Sequence, residues 1–202
     1  ARERIIENLN HNKKYIYSDK KKNQKLFKIF DFSKKKFNYH LKYFFELNTG
    51  SGLGSSGSFI ALLSALLNSI EQGHQSKNYI ASNAYFFEKK ILGTSGGRQD
   101  EFSSVYGGLN FINFKKNNLT EVKRIKASNK FKESLQKKSL LIFTGMNRDG
   151  SKIIDKHIKI YKKNKNIEIL HQIKKLTLDA KKYILNNDLE NFILKINDYW
   201  EL

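Results

Sequence analysis

At 202 residues the chain is long enough to bury a sizeable core and fits one large or two small domains. It has no cysteine, which excludes disulfides and thiolate metal sites, and no apolar run approaches the roughly 18 residues of a membrane span. The net charge of +19 raises nucleic acid as a partner, yet the lysines are spread in short runs alongside abundant Asn, Ile, Phe and Tyr and no proline. That distribution reads as a solvated surface, so neither a nucleic-acid nor a membrane partner is expected.

In chain order, Ala1-Arg-Glu-Arg-Ile-Ile-Glu7 is amphipathic, unlike a signal peptide, which implies a cytoplasmic protein, and residues 1–15 are expected to end a helix. Residues 15–17 and 26–32 look like short strands around a lysine-rich turn, broken at Asp31 and Ser33. Residues 38–47 alternate loosely and are rich in Tyr and Phe, which favours a strand. Then comes Asn48-Thr-Gly-Ser-Gly-Leu-Gly-Ser-Ser-Gly57, with four glycines among ten residues, leading into Phe59, Ile60, Leu62, Leu63, Leu66, Leu67 and Ile70 at helical spacing.

Strand, glycine loop, helix is an arrangement suited to an anion. Little side chain stands in the way, several N–H groups can turn inward, and the helix N-terminus adds about half a positive charge. Ser55, Ser56 and Ser58 supply hydroxyls for capping, phosphate or magnesium. The string 52–57 formally matches the dinucleotide fingerprint G-x-G-x-x-G, but Glu71 comes too early to be its ribose-binding acid. The Walker pattern is excluded, because no lysine lies between Asn48 and Gln75. A tight turn with a helix cap is the remaining structural alternative.

Downstream, residues 77–91 fit a helix with Ile80, Ala84, Phe87 and Ile91 on one stripe and Glu88 beside it, where it is either a surface glutamate paired with Lys89 and Lys90 or a site residue. A glycine loop at 93–97 delivers Asp100 to the start of a short helix, ended by Gly107 and Gly108. On its own terms Asp100 is equally a first-turn helix residue and a reactive acid. A strand comes next at 109–114, a buried strand is expected at 139–143, and a helix should start near Asp149 or Ser151. Arg148 offers a planar fork for a phosphate or is a surface arginine. Residues 164–202 carry two helical stripes separated at Asn186-Asn187. His40, His157 and His171 stand apart from one another and are assigned no role.

The run Gly50-Ser-Gly-Leu-Gly-Ser-Ser-Gly57 resembles P-x-x-x-G-L-G-S-S-A, the phosphate-binding motif of the GHMP-type small-molecule kinases, which include galactokinase, homoserine kinase and mevalonate kinase. Thr49 or its neighbour stands where proline is usual, and Gly57 replaces alanine. Asp100 sits in a segment similar to that family's G-K-Q-D-Q, twelve residues after Glu88 (100 − 88 = 12). The stretch from Glu88 to Gly108, with Leu140-Leu-Ile-Phe-Thr-Gly-Met-Asn-Arg148, is most similar to the D-glycero-D-manno-heptose 7-phosphate kinase branch. Arg98 stands for its lysine, Glu101 for its glutamine and Phe102 for its tyrosine.

The resemblance implies an α+β GHMP kinase fold. Residues 1–150 would form part of the N-terminal ATP-binding domain, with a ribosomal protein S5 domain 2-like sheet and packed helices, and 151–202 would begin a helical or ferredoxin-like C-terminal domain. It implies ATP on Gly50, Ser51, Gly52, Leu53, Gly54, Ser55, Ser56, Gly57 and Ser58, Mg2+ on Ser56 and Glu88, and Asp100 accepting or orienting the substrate hydroxyl proton. Arg98, Gln99, Gly107, Gly108 and Arg148 would face the sugar or sugar phosphate. The activity implied is ATP-dependent phosphorylation of a sugar, a heptose 7-phosphate at its anomeric hydroxyl, for nucleotide-sugar and surface polysaccharide synthesis. The family's N-terminal sugar motif and C-terminal glycine-rich motif are not found, so the chain reads as a fragment, and a catalytically silent basic domain that binds nucleotide or nucleic acid is the alternative.

Overall fold

The computed structural model describes residues 4–17, 24–32, 38–46, 50–71, 73, 75–145, 150–164 and 167–202. They gather into two compact units, Ala1–Tyr106 with Gly145–Lys152, and Gly107–Thr144 with Ile153–Leu202.

In the first unit a three-stranded sheet has β1 (Arg4–Asn8) at its centre, antiparallel to β2 (Lys13–Ile16) and parallel to β3 (Tyr39–Tyr43). Ile6 faces Tyr15 on one side and Leu41 on the other. The expected helix end at 1–15 is therefore corrected: a window as short as Arg-Ile-Ile-Glu satisfies either period, and pairing on both edges decides for the strand. The expected strand at 26–32 is likewise the helix α1 (Gln24–Asp31). Phe27 and Phe30 are buried three residues apart while Lys25 and Lys28 are exposed, a helical spacing that outweighs the aromatic and β-branched composition. Arg4 ties these pieces together, since it pairs with Asp31 at 2.5 Å and lies over the Tyr17 ring, whose hydroxyl also donates to Asp31.

Behind the sheet run α2 (Ser55–Glu71) and α3 (Lys77–Phe86), which continues into a π-helical turn at Phe87–Leu92, followed by α4 (Gln99–Tyr106). Ile6, Phe27, Ile29, Phe30, Ile60, Leu63, Leu67 and Phe87 form the core. Each such side chain contributes roughly 1.5–3 kcal/mol when fully buried. Tyr43 packs its ring 4.6 Å from that of Phe59, so the end of β3 and the first turn of α2 are held together on either side of the glycine run.

In the second unit, β4 (Asn110–Phe114) and β5 (Thr120–Arg124) form an antiparallel hairpin whose turn uses Asn117 and Asn118 in the left-handed region. Four helices follow, α5 (Asn129–Lys137), α6 (Gly150–Asn164), which counts in this unit from Ile153 on, α7 (Ile167–Leu185) and α8 (Leu189–Trp200). The break between α7 and α8 falls at Asn187, left-handed at φ 58°, as the two stripes predict. Ile125, Ala127 and Phe131 bury against Ile184 and Leu189, so residues 107–144 pack with the C-terminal helices. The buried strand expected at 139–143 is a third correction: the segment is unpaired and exposed, Leu140 at 83% and Leu141 at 79%. An apolar run becomes a strand only where a ladder partner stands beside it. Among the described residues no helix is long and apolar enough to cross a membrane.

Candidate active site

The glycine run turns by left-handed steps. Gly50, Gly52 and Gly54 have φ of 82°, 82° and 76°, and nothing lies within 4 Å of a Cβ built on Gly52 or Gly54. Conformation, not crowding, therefore demands glycine at 52 and 54. The Ser58 amide donates to the Gly54 carbonyl at 2.9 Å, closing the first turn of α2 and leaving the amides ahead of it without partners in the helix ladder. Ser55 is half-buried and Ser56 exposed in that turn, and the Ser51 hydroxyl is buried with no hydrogen-bond partner among the described residues.

Gly57 is required for a different reason. A Cβ there would stand 2.8 Å from the Asp100 Cβ and 3.2 Å from its carbonyl carbon, so the loop end and the start of α4 touch backbone to backbone. The hydroxyls of Ser58 and Ser104 are 3.1 Å apart, and Ser104 also donates to the Asp100 carbonyl at 2.7 Å. Ser58, expected toward a phosphate, thus faces α4.

Glu88 lies on the π-helical turn, a widened winding that often marks functional positions. Gly93, left-handed at φ 69°, ends it, and both the amide and the hydroxyl of Thr94 donate to the Glu88 carbonyl, at 3.2 and 3.1 Å. This clamp folds the 93–97 loop back so that Glu88 Oε2 lies 3.9 Å from where a Cβ on Gly96 would stand. Arg98 stacks over Tyr85 at 5.1 Å, and the exposed Gln99 folds its side chain against Gly97. Gly107 and Gly108 belong to the second unit, where they turn the chain into β4 and Arg124 donates to the Gly107 carbonyl at 2.5 Å. Arg148 lies outside the described residues.

Glu88, Asp100 and Glu101 lie close enough to feel one another's charge. The Asp100 carboxyl is pushed up, first by desolvation and then by the charge of Glu88. Glu101 is 0% exposed, and neither of its oxygens meets a donor among the described residues. Burial pushes its carboxyl well above the ordinary range, and the Glu88 carboxyl within hydrogen-bonding reach, with the nearby charge of Asp100, adds to the effect. The sequence motif assigns Glu101 no role beyond standing for a glutamine. A signal for one is nonetheless present: on a helical wheel Glu101 falls on the stripe of Phe102 and Val105, which turns it inward. Among the described residues no three His, Asp or Glu side chains form a ready-made metal cage, so a cation here would draw on phosphate oxygens and water as well as protein.

Residues 22–108 match the family described as GHMP kinases N terminal domain. The chain is 28% identical over 171 residues to the D-glycero-alpha-D-manno-heptose 7-phosphate kinase of Campylobacter jejuni, covering 84% of this chain and 50% of that protein. It is 27% identical over 167 residues to the bifunctional fucokinase/GDP-fucose pyrophosphorylase of Arabidopsis thaliana, covering 80% of this chain and 16% of that one. The chain thus spans about half the length of the heptose kinase and less of the bifunctional protein. In fold it is similar to the crystal structure of a D-glycero-D-manno-heptose 1-phosphate kinase from Bacteriodes thetaiotaomicron, with a TM-score of 0.76 and 23% identity over 100% of this chain and 63% of that one. The glycine run, Glu88, Asp100 and Glu101 all lie within the span that matches the GHMP kinases N terminal domain, and the chain has the α+β fold of that solved kinase.

Proposed function

We propose that the chain is the phosphate-binding part of an ATP-dependent sugar kinase whose acceptor is a sugar or sugar phosphate, a heptose 7-phosphate phosphorylated at its anomeric hydroxyl being the favoured case. The observation that carries this reading is the contact of Gly57 with Asp100, which puts an anion-binding helix start and an acid on one surface. The sugar kinase relatives support the class of acceptor.

In this reading the free amides of residues 50–57 bind the triphosphate and fix its terminal group in line with the acceptor. The acceptor oxygen forms a bond to the γ-phosphorus, the bond from that phosphorus to the β–γ bridging oxygen breaks, and ADP leaves with the electron pair. Asp100 takes the hydroxyl proton. Its raised carboxyl makes it a stronger base than an ordinary surface aspartate. Arg98 and Gln99, at the entry to α4, would face the sugar. The donor set fits magnesium, since Glu88 and the orphaned oxygens of Glu101 place two carboxyl groups side by side, and a bound cation would favour their charged forms. Ser56 and Glu88 would hold the ion, which when bound supplies charge neutralisation at the phosphates.

The test is turnover of ATP with a panel of hexose and heptose phosphates, beside nucleotide binding. Asp100→Asn should lower turnover by roughly 10²- to 10⁴-fold while ATP still binds. Wild-type turnover in that variant removes Asp100 from the mechanism. Nucleotide binding without phosphorylation of any acceptor favours a silent nucleotide-binding domain.

A further inference from the structure

Glu101 is the one charged side chain that the described part of the molecule buries completely. It comes directly after Asp100 in the first turn of α4, and its backbone nitrogen is 3.4 Å from where a Cβ on Gly57 would stand, so α4 begins against the N-terminus of α2. Both carboxylate oxygens are shielded from solvent and meet no donor among the described residues, although the Glu88 carboxyl lies within reach. Two neighbouring carboxyl groups, one of them buried, cannot both be charged without a cation; in its absence they share a proton, and a divalent ion would displace that proton. The buried partner is closed off on its own side, whereas Glu88 is half-buried and borders the side-chain-free Gly96. Glu88 is therefore the accessible member of the pair, and the unsatisfied oxygens of Glu101 lie beside it.

We propose that Glu101 is a second carboxylate of the divalent-cation site, acting beside Glu88. The inference rests on the reading of Glu88 as a magnesium-holding residue and adds to it a residue of this chain. Two carboxylates with phosphate oxygens and water suit magnesium, which accepts few protein ligands and keeps several waters. Glutamine at 101 would retain the shape and lose the anion. The burial of Glu101 then has an explanation: the site tolerates a desolvated carboxylate because the cation compensates it.

The experiment is a titration of the whole chain with Mn2+ as probe, free ion being read by electron paramagnetic resonance, for wild type, Glu101→Gln and Glu88→Gln. Both variants should bind Mn2+ at least about tenfold more weakly, the loss expected of a missing ligand. Glu101→Gln should also unfold at a higher temperature than wild type without cation, and should lose the upward shift that Mg2+ gives the wild type. In the unmutated chain, Mn2+ should broaden the amide signals of Glu88 and Glu101 before those of the second unit. Weakening in Glu88→Gln alone, with wild-type affinity in Glu101→Gln and no broadening at Glu101, overturns this proposal and leaves the magnesium reading of Glu88 standing. Unchanged affinity in both variants overturns the two together.

Discussion

Gly57 and Gly52 belong to one motif, yet each is glycine for its own reason. At Gly52 the backbone is left-handed with open space around it, so alanine would be strained by roughly 1–2 kcal/mol without touching a neighbour. At Gly57 the obstacle is the Cβ and backbone of Asp100, which cannot rotate away, so a methyl group there must push α2 and α4 apart. Gly57→Ala is expected to cost about 1–3 kcal/mol, the range of overpacking, and to lower turnover by displacing Asp100. Urea unfolding and kcat measured on the same variant check both parts, and a wild-type midpoint would show that α4 yields freely. The motif is readable in the sequence because its glycines and serines recur at fixed spacing, and the twelve-residue step from Glu88 to Asp100 is readable as a count. The depth of Glu101 is harder to see, since an acid beside an acid at a helix start is usually solvated.

At the scale of elements, periodicity serves where a stripe is long and fails where it is short. The helices at 55–71 and 77–92 and the break near 187 follow from repeated apolar spacing, whereas α1 and β1 are too brief for one period to prevail without their neighbours. The π-helical turn has no sequence signature of its own, and the exposed 139–143 segment reads as a strand because sequence shows hydrophobicity and not the presence of a ladder partner. Capping gives an element-scale prediction. Asp188 accepts from the Asn191 amide at 3.1 Å and from its side chain at 2.7 Å, and these bonds hold its carboxyl below the ordinary value. A lowered folded value means that the cap's contribution is present above the ordinary aspartate range and is lost as pH falls through the folded value. Thermal unfolding of Asp188→Ala should therefore match a destabilised protein near neutral pH and converge on wild type in strong acid. A constant gap between the two at every pH would show that the charge is not what caps α8.

For the molecule as a whole, the charge of +19 is carried by lysines in both compact units, including Lys25 and Lys28 on α1 and Lys130, Lys132 and Lys137 on α5. A surface charged in this dispersed way binds nucleic acid only through weak, sequence-blind attraction. Retention on single- or double-stranded DNA should fall away between about 50 and 200 mM salt, whereas ATP binding should persist, a contrast readable by filter binding. DNA binding that survives the higher salt would speak for a dedicated basic face. The widened winding at Phe87–Leu92 sets a limit on how this chain tolerates length changes. Inserting one alanine after Lys90 would exceed what the already widened turn absorbs, moving the 93–97 loop by about 1.5 Å along the axis and about 100° around it. The hydrophobic interior upstream would keep its register, while the Thr94 latch on Glu88 would miss its carbonyl and carry Asp100 off its seat on Gly57. A single-codon insertion outside the reacting groups would then separate folding from the proposed catalysis.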